Sequence, residues 1–178
     1  TVFTYIAPIL REQTHASLGF VTAMLVTYGL GLTVGNWLGG KFADKSVDRT
    51  LIVILAALSA LLIAFAVAMP FAVPTSILVF LWGIASFALV PPLQVRVMTA
   101  ASDAPNLASS MNIGAFNLGN AIGAWLGGAV ITAGGSLQSI PLVAACVTLC
   151  ALALAVYVAW LDQRGAVAPA GLAACEAR

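Results

Sequence analysis

Long apolar runs, separated by short polar segments, make up most of this chain. A helix of about 20 apolar residues crosses the hydrocarbon core of a bilayer. We therefore predict an all-α membrane protein with six transmembrane helices, the first of them truncated, at 1–10, 18–42, 50–69, 75–100, 107–133 and 140–161. We predict that residues 1–164 form one six-helix bundle and that 165–178, rich in Ala, Gly and Pro, form a disordered cytoplasmic tail.

Two adjacent prolines, Pro91 and Pro92, lie inside the fourth predicted helix. Proline lacks a backbone N–H, so we expect a bend at this point. Gln94 follows the prolines by one turn of chain. Its amide either satisfies a carbonyl that the prolines free or faces a cavity.

Composition supports a membrane protein and argues against several function classes. Hydrophobic residues make up 62% of the chain and charged residues 7%, with a mean hydropathy of +1.07, whereas a soluble domain has about 25% charged residues. The net charge of +1 gives no nucleic-acid-binding footprint. Three cysteines and one histidine argue against a disulfide scaffold or a zinc site. We expect no metal, no cofactor and no enzyme activity, because the sequence has no acidic pair and no nucleophile–base set.

The distribution of Lys and Arg predicts the orientation. Six spans place alternate loops on opposite sides of the membrane, and cytoplasmic loops carry the excess of basic residues. Six of the seven basic residues fall on one side: Lys41, Lys45, Arg49, Arg96, Arg164 and Arg178. Only Arg11 falls on the other side. The charged loop at 43–49 and the C-terminal tail are therefore predicted to be cytoplasmic.

An internal repeat links the second and fifth helices. LGLTVGNWLGG at 30–40 and LGNAIGAWLGG at 118–128 match at seven of eleven positions without a gap. Because these two helices cross the membrane in opposite directions, the repeat predicts two three-helix units of inverted topology, an arrangement found in transporters.

Glycines recur every fourth residue in both copies of the repeat. Such stripes of small residues let a second helix approach closely. They favour either tight packing within this bundle or a sliding interface with another domain. We predict a helix-packing interface formed by Gly31, Gly35, Gly39, Gly119, Gly123 and Gly127.

Polar side chains are concentrated in the first, second, fourth and fifth helices. Amides in hydrocarbon need a partner or water, so Asn36, Asn112, Asn117 and Asn120 indicate either interhelical hydrogen bonds or a hydrated path. Aromatic residues of the first and fourth helices form either a cavity wall or membrane-interface anchors. The candidate substrate-cavity residues are Tyr5, Trp82, Gln94, Asn112, Phe116 and Asn120.

Charged side chains are confined to the loops, the helix ends and the tail. Arg96 lies about one turn from the cytoplasmic end of its helix and either extends to the lipid headgroups or forms a gating ion pair. No Asp or Glu lies in a predicted membrane core. If the protein couples transport to protons, the titratable carboxylate should lie outside this chain.

The stretch GKFADKSVDR at 40–49 resembles the cytoplasmic signature loop of the major facilitator superfamily. Gly40, Asp44, Lys45 and Arg49 match the pattern, whereas Val47 and Asp48 depart from it. An ordinary basic cytoplasmic loop is the alternative interpretation. Together with FTYIAPIL at 3–10, PPLQ at 91–94 and AFNLGNAIGAWLGG at 115–128, the chain is similar to the bacterial drug and sugar efflux branch, and most to arabinose-efflux-type permeases, over about 1–164.

This resemblance implies the C-terminal half of a twelve-helix transporter in the bacterial inner membrane. Its first and fourth helices would line the central cavity, and its second and fifth would face the N-terminal six-helix half. The implied activity is proton-linked export of a small organic solute, such as a sugar or a drug, by rocker-switch alternating access. Gly40, Asp44, Lys45 and Arg49 would form the gating loop. The implied partners are the N-terminal half, the lipid bilayer, the solute and protons, with no nucleic acid. The alternative is a non-transporting polytopic membrane subunit used in protein assembly.

Overall fold

A computed structural model describes residues 2–13 and 17–167, and all regular structure in these ranges is α-helical. The helices are α1 (Val2–Gln13), α2 (Leu18–Ala43), α3 (Val47–Ala68), α4 (Ala72–Ala88), α5 (Val90–Ala100), α6 (Pro105–Thr132) and α7 (Ser139–Val167). The predicted all-α class is confirmed. Of the predicted tail, 165–167 belong to α7, and 168–178 lie outside the described residues.

Polar and conformationally special residues set the helix ends. The Ser17 hydroxyl accepts a hydrogen bond from the Phe20 N–H at 3.3 Å, and Ser46 accepts one from the Arg49 N–H at 3.4 Å. These caps satisfy donors that the first turn of a helix leaves free. Pro105 begins α6, and Gly134, with φ of 82°, follows its end. Each signal is readable in the sequence.

The fourth predicted helix is interrupted two residues before the first of its prolines. Leu89 alone separates α4 from α5, so Pro91 and Pro92 lie in the first turn of α5. The N–H groups of a first turn have no partner within the helix, and proline is tolerated there. The break therefore removes the conflict between the prolines and the helix.

Within residues 2–13 and 17–167, four segments are long and apolar enough to cross a membrane: Leu18–Ala43, Val47–Ala68, Ala72–Ala100 and Ser139–Arg164. The third of these joins α4 and α5. The twelve residues of α1 span only about 18 Å as a helix. The 28 residues of α6 are long enough and contain no charge, but their amides and glycines lower the mean hydropathy.

Two extended helix pairs hold the bundle together. Helix α2 packs along α4, and α3 packs along α7 and also against α4. The core lies where these pairs meet and includes the fully buried side chains of Phe65, Met69, Val79 and Ile140. Helix α6 contacts α5, α1 and α7 more sparsely and leaves much of its surface exposed.

Candidate functional site

A cavity of about 510 Å³ lies in the middle of the bundle, and α1 to α7 all contribute to its lining. Its polar groups come from four helices: the hydroxyl of Tyr28 of α2, the indole N–H of Trp82 and the hydroxyl of Ser86 of α4, Asn120 of α6 and Thr148 of α7. The Thr148 hydroxyl donates to the Ala144 carbonyl of its own helix at 2.8 Å. No lining residue is Asp, Glu, Lys or Arg. The cavity therefore suits an uncharged solute with hydrogen-bonding groups.

Three aromatic rings form one wall of this cavity. The Tyr28 ring lies between the other two. Its centroid is 4.5 Å from that of Trp82 and 5.3 Å from that of Phe3, which stacks on it. Trp82 is buried and comes from α4. It is one of the cavity residues predicted from the sequence. Tyr28 and Phe3 were missed, although both are aromatic residues on helices that carry polar side chains. Stacked rings give a flat apolar surface for a solute.

Helix α6 supplies the facing wall through Phe116 and Asn120. These residues are four positions apart and so lie on one helix face. Phe116 is half-buried, whereas Asn120 is exposed towards the open side of the bundle. The structure thus brings three of the six candidate cavity residues, Trp82, Phe116 and Asn120, to one cavity.

Gln94 and Asn112 lie apart from this cavity, in a cluster that joins α5 to α6. The Asn112 side-chain amide donates to the Gln94 carbonyl oxygen at 2.6 Å, and the Gln94 amide donates to the Ser109 hydroxyl at 2.6 Å. Gln94 therefore neither bonds to a backbone carbonyl freed by the prolines nor faces the cavity, the two alternatives that the sequence suggested. We call these three residues the amide cluster.

Tyr5 fastens α1 to α6 and does not line the Trp82 cavity. Its hydroxyl donates to the Ala124 carbonyl oxygen at 3.1 Å. Its ring covers Gly127, where a Cβ atom would lie 2.9 Å from the Tyr5 Cδ2 and closer still to Cε2. With Gly128 and Trp125, the ring lines a shallow depression on the surface of α6.

The first glycine stripe lies directly against the backbone of α4. A Cβ atom on Gly31 would lie 2.6 Å from the carbonyl oxygen of Phe80. Gly35 and Gly39 approach the next two carbonyls in the same way, each four residues further along α4, at Ile84 and Ala88. Residue numbers increase in the same direction along both helices, so α2 and α4 are parallel. Alternate membrane spans of one chain run in the same direction.

The second stripe is less completely covered. Gly127 meets the Tyr5 ring, and Gly123 is buried. Gly119 has open space where a Cβ would lie. Four candidate packing glycines thus lie in close contact with a neighbouring helix of the described chain: Gly31, Gly35, Gly39 and Gly127.

The charged segment predicted at 43–49 is mostly helical. Helix α2 continues through Ala43 and α3 begins at Val47, so Gly40 lies within α2 and Arg49 lies in the first turn of α3. The Asp44 N–H donates to the Gly40 carbonyl at 3.2 Å and so ends α2. Within the described chain, the side chains of Asp44, Lys45 and Arg49 form no ion pairs.

The ion pairs at this end of the bundle centre on Arg96 of α5. Its guanidinium contacts the Asp48 carboxylate of α3, and its Nη2 lies 2.6 Å from the Asp162 carboxylate of α7. These bonds fit the ion-pair alternative for Arg96 rather than extension to the headgroups. The partners of Arg96 could not be identified from the sequence, in which Asp48 stood out only as a departure from the loop pattern.

Among the described residues, no group of three His, Cys, Asp or Glu side chains is close enough to bind a metal ion.

The sequence is similar to those of known membrane transport proteins. The sequence profile of the Major Facilitator Superfamily matches residues 1–174. The inner membrane transport protein YdhP of Escherichia coli (strain K12) is 51% identical over 154 residues, which cover 86% of this chain and 40% of YdhP.

More distant relatives share the same region. The uncharacterized MFS-type transporter YfhI of Bacillus subtilis (strain 168) is 32% identical over 93% of this chain and 41% of its own length. A probable sugar efflux transporter of Helicobacter pylori (strain J99) is 31% identical over 74% of this chain and 34% of its own length. No solved structure matches significantly.

The chain spans about 40% of the length of the first curated relatives it matches. The family resemblance drawn from the 40–49 loop and the segments at 3–10, 91–94 and 115–128 is confirmed over nearly the whole chain. The chain belongs to the major facilitator superfamily, a family of membrane transporters rather than enzymes.

Proposed function

We propose that this chain is the C-terminal six-helix half of a secondary transporter, built as two inverted three-helix repeats. The glycine contacts support the repeat. Gly39 of α2 packs on α4, and its counterpart Gly127 of α6 packs on α1. Helices α1 and α4 begin the two proposed triplets, so exchanging the triplets exchanges these two contacts.

We propose that the complete protein exports a small uncharged organic solute, such as a sugar or a drug, by rocker-switch alternating access. The observation that carries this proposal is the 510 Å³ cavity, which has stacked aromatic rings on one wall and Asn120 on the other. Relatives named as probable sugar efflux transporters favour export and a sugar-like solute. Proton antiport rests on the family resemblance, with its carboxylate proposed to lie outside this chain.

Each candidate residue has a proposed role in this mechanism. Trp82 and Phe116 contact the apolar surface of the solute, and Asn120 hydrogen-bonds its polar groups. Tyr5, Gln94 and Asn112 hold α6 in position beside the cavity through the bonds described above. The gating loop, formed by Gly40, Asp44, Lys45 and Arg49, responds to closure of the cytoplasmic side.

The exposed faces of α2 and α6 are the proposed contact with the N-terminal half. Trp37 and Trp125 occupy equivalent positions in the repeat and are 63% and 69% exposed. Large exposed apolar surfaces indicate contact with protein or lipid. We propose that the assembled transporter lies in the inner membrane with its C-terminus in the cytoplasm.

Replacing Asn120 by Leu in the complete protein tests the site. We expect solute export per transporter molecule to fall at least tenfold, because a buried solute hydroxyl would lose its partner. Asn117→Leu, on the same helix but outside the cavity lining, is the matched control and should export normally. Normal export by Asn120→Leu, at equal membrane abundance, would refute the site assignment.

An assembly subunit is the second candidate function, and the exposed tryptophans of α2 and α6 are the observation that favours it. This candidate predicts no solute flux by the purified complete protein in proteoliposomes. It also predicts that Trp37→Ala and Trp125→Ala release a bound membrane protein, whereas Asn120→Leu has no effect on binding.

A further inference from the structure

We propose that the groove between the end of α2 and the start of α3 binds an anionic phospholipid. The groove has a volume of about 330 Å³, within the range of ordinary ligand clefts. Its mouth carries Lys45 and Arg49, and its walls are Phe42, Val53 and Ile54. We call it the α2–α3 groove.

The positive charge of the α2–α3 groove is not neutralised by the protein. Lys45 and Arg49 form no ion pair within the described part of the chain. Of the two nearby carboxylates, Asp48 is engaged by Arg96 and Asp44 does not line the groove. Two unpaired cations at one opening complement the phosphate and the net negative charge of an anionic lipid headgroup.

The apolar part of the groove lies one helical turn from its charged mouth. Val53 follows Arg49 by four residues on the same face of α3, about 6 Å along the axis. Phe42 and Val53 are 46% and 60% exposed. A phospholipid presents its phosphate and its acyl chain in this same order and at a similar spacing. A soluble phosphate compound would use the cations and leave the apolar wall uncovered.

The groove is formed before any ligand arrives. The Thr50 hydroxyl donates to the Phe42 carbonyl oxygen at 2.9 Å, which fastens the first turn of α3 to the last turn of α2. The Ser46 cap holds the intervening turn. A preformed site loses little conformational entropy when it binds its ligand. Its basic end also lies on the side that the charge distribution assigns to the cytoplasm, where anionic lipids attract Lys and Arg.

Lipid binding to the complete protein in detergent tests this proposal without any transport measurement, so it can fail or succeed independently of the proposed function. Phosphatidylglycerol is titrated and retained lipid is counted by native mass spectrometry, with phosphatidylcholine, which is zwitterionic and has no net charge, as the comparison. We expect Lys45→Gln/Arg49→Gln to weaken phosphatidylglycerol binding by about 30-fold, from the usual contribution of two basic residues near a charged surface. Lys41→Gln is the matched control, because Lys41 stacks on Trp37 at 5.1 Å and lies outside the groove.

A second variant tests the acyl-chain contact. Val53→Ser should weaken phosphatidylglycerol binding and leave binding of soluble glycerol phosphate unchanged. The proposal is overturned if the double variant retains lipid as the unaltered protein does, or if Lys41→Gln loses as much. It is also overturned if soluble glycerol phosphate raises the melting temperature as much as the lipid does. Finally, equal retention of phosphatidylglycerol and phosphatidylcholine would also overturn the proposal, because Lys45 and Arg49 would then not select a lipid with net negative charge.

Discussion

Arg96 of α5 bonds to Asp162 of α7 with a distance of 2.6 Å between Nη2 and Oδ2, across 66 residues of sequence. The same guanidinium contacts Asp48 at the start of α3. One side chain thus connects three helices at the end of the bundle that carries the basic residues.

We expect Arg96→Ala to destabilise the complete protein more than Asp162→Asn does. The Arg96 side chain is 28% exposed and that of Asp162 is 58% exposed, so solvent screens their pair, which should contribute less than about 1 kcal/mol. Removing Arg96 loses both pairs and leaves two neighbouring carboxylates. Thermal melting in detergent at low and high salt measures this, because salt should reduce the difference. Equal melting temperatures for both variants would show that Arg96 is not the centre of the network.

Gly35→Ala should destabilise the bundle, because the new Cβ would overlap the Ile84 backbone of α4. Overpacking of this kind costs about 1–3 kcal/mol. Gly119→Ala is the matched control, since nothing lies within 4 Å of a Cβ there. Alanine favours helix by about 1 kcal/mol over glycine, so the control should be neutral or stabilising. Melting temperatures of the two variants measure this difference. Equal melting temperatures for Gly35→Ala and Gly119→Ala would contradict the close contact between α2 and α4.

Gln94→Leu should destabilise the contact between α5 and α6, because it leaves Ser109 and Asn112 without their partner. Hydrogen bonds between membrane helices contribute about 0.6 kcal/mol on average and up to about 1.7 kcal/mol. The double variant Gln94→Leu/Asn112→Leu should cost less than the sum of the single variants, because each removes the same bond. Asn36→Leu, an exposed amide with no hydrogen bond in the described chain, is the control. Strict additivity of the two losses would argue against the amide cluster.

Tyr5→Phe should lower stability by about 1 kcal/mol, since the Ala124 carbonyl loses its side-chain donor while the ring still covers Gly127. Tyr157→Phe provides the control, because Tyr157 stacks on Trp160 and is largely exposed on α7. If both variants melt at the same temperature, the Tyr5 hydroxyl does not fasten α1 to α6.

Hydropathy and local signals were sufficient to place the helices. Ser17, Ser46, Pro105 and Gly134 mark helix ends through interactions within a few residues, which a sequence displays directly. The largest boundary error is at the end of α7, which continues to Val167 where the prediction ended at 161. Beside the charged segment, α3 begins three residues early and takes in Asp48 and Arg49. A charged first turn resembles a loop when only its composition is read.

The direction of individual polar side chains could not be predicted in the same way. Gln94 and Asn120 carry similar side-chain amides, yet one bonds to α6 and the other lines the cavity. That difference depends on how each helix is rotated against its neighbours, which is set by packing over the whole bundle. Asp162, near the end of the chain, likewise became a partner of Arg96 only through tertiary contact.

The contact between α2 and α4 repeats itself every turn, since glycines four residues apart meet carbonyls four residues apart. A slide of one turn, about 5.4 Å, would set most of these glycines against carbonyls again. The stripe therefore provides proximity but does not define a unique axial alignment. Alignment must come from contacts that occur only once, and the tilted packing of the Tyr28 ring on the Trp82 ring is such a contact. The aromatic wall of the cavity thus also sets the axial position of α2 along α4.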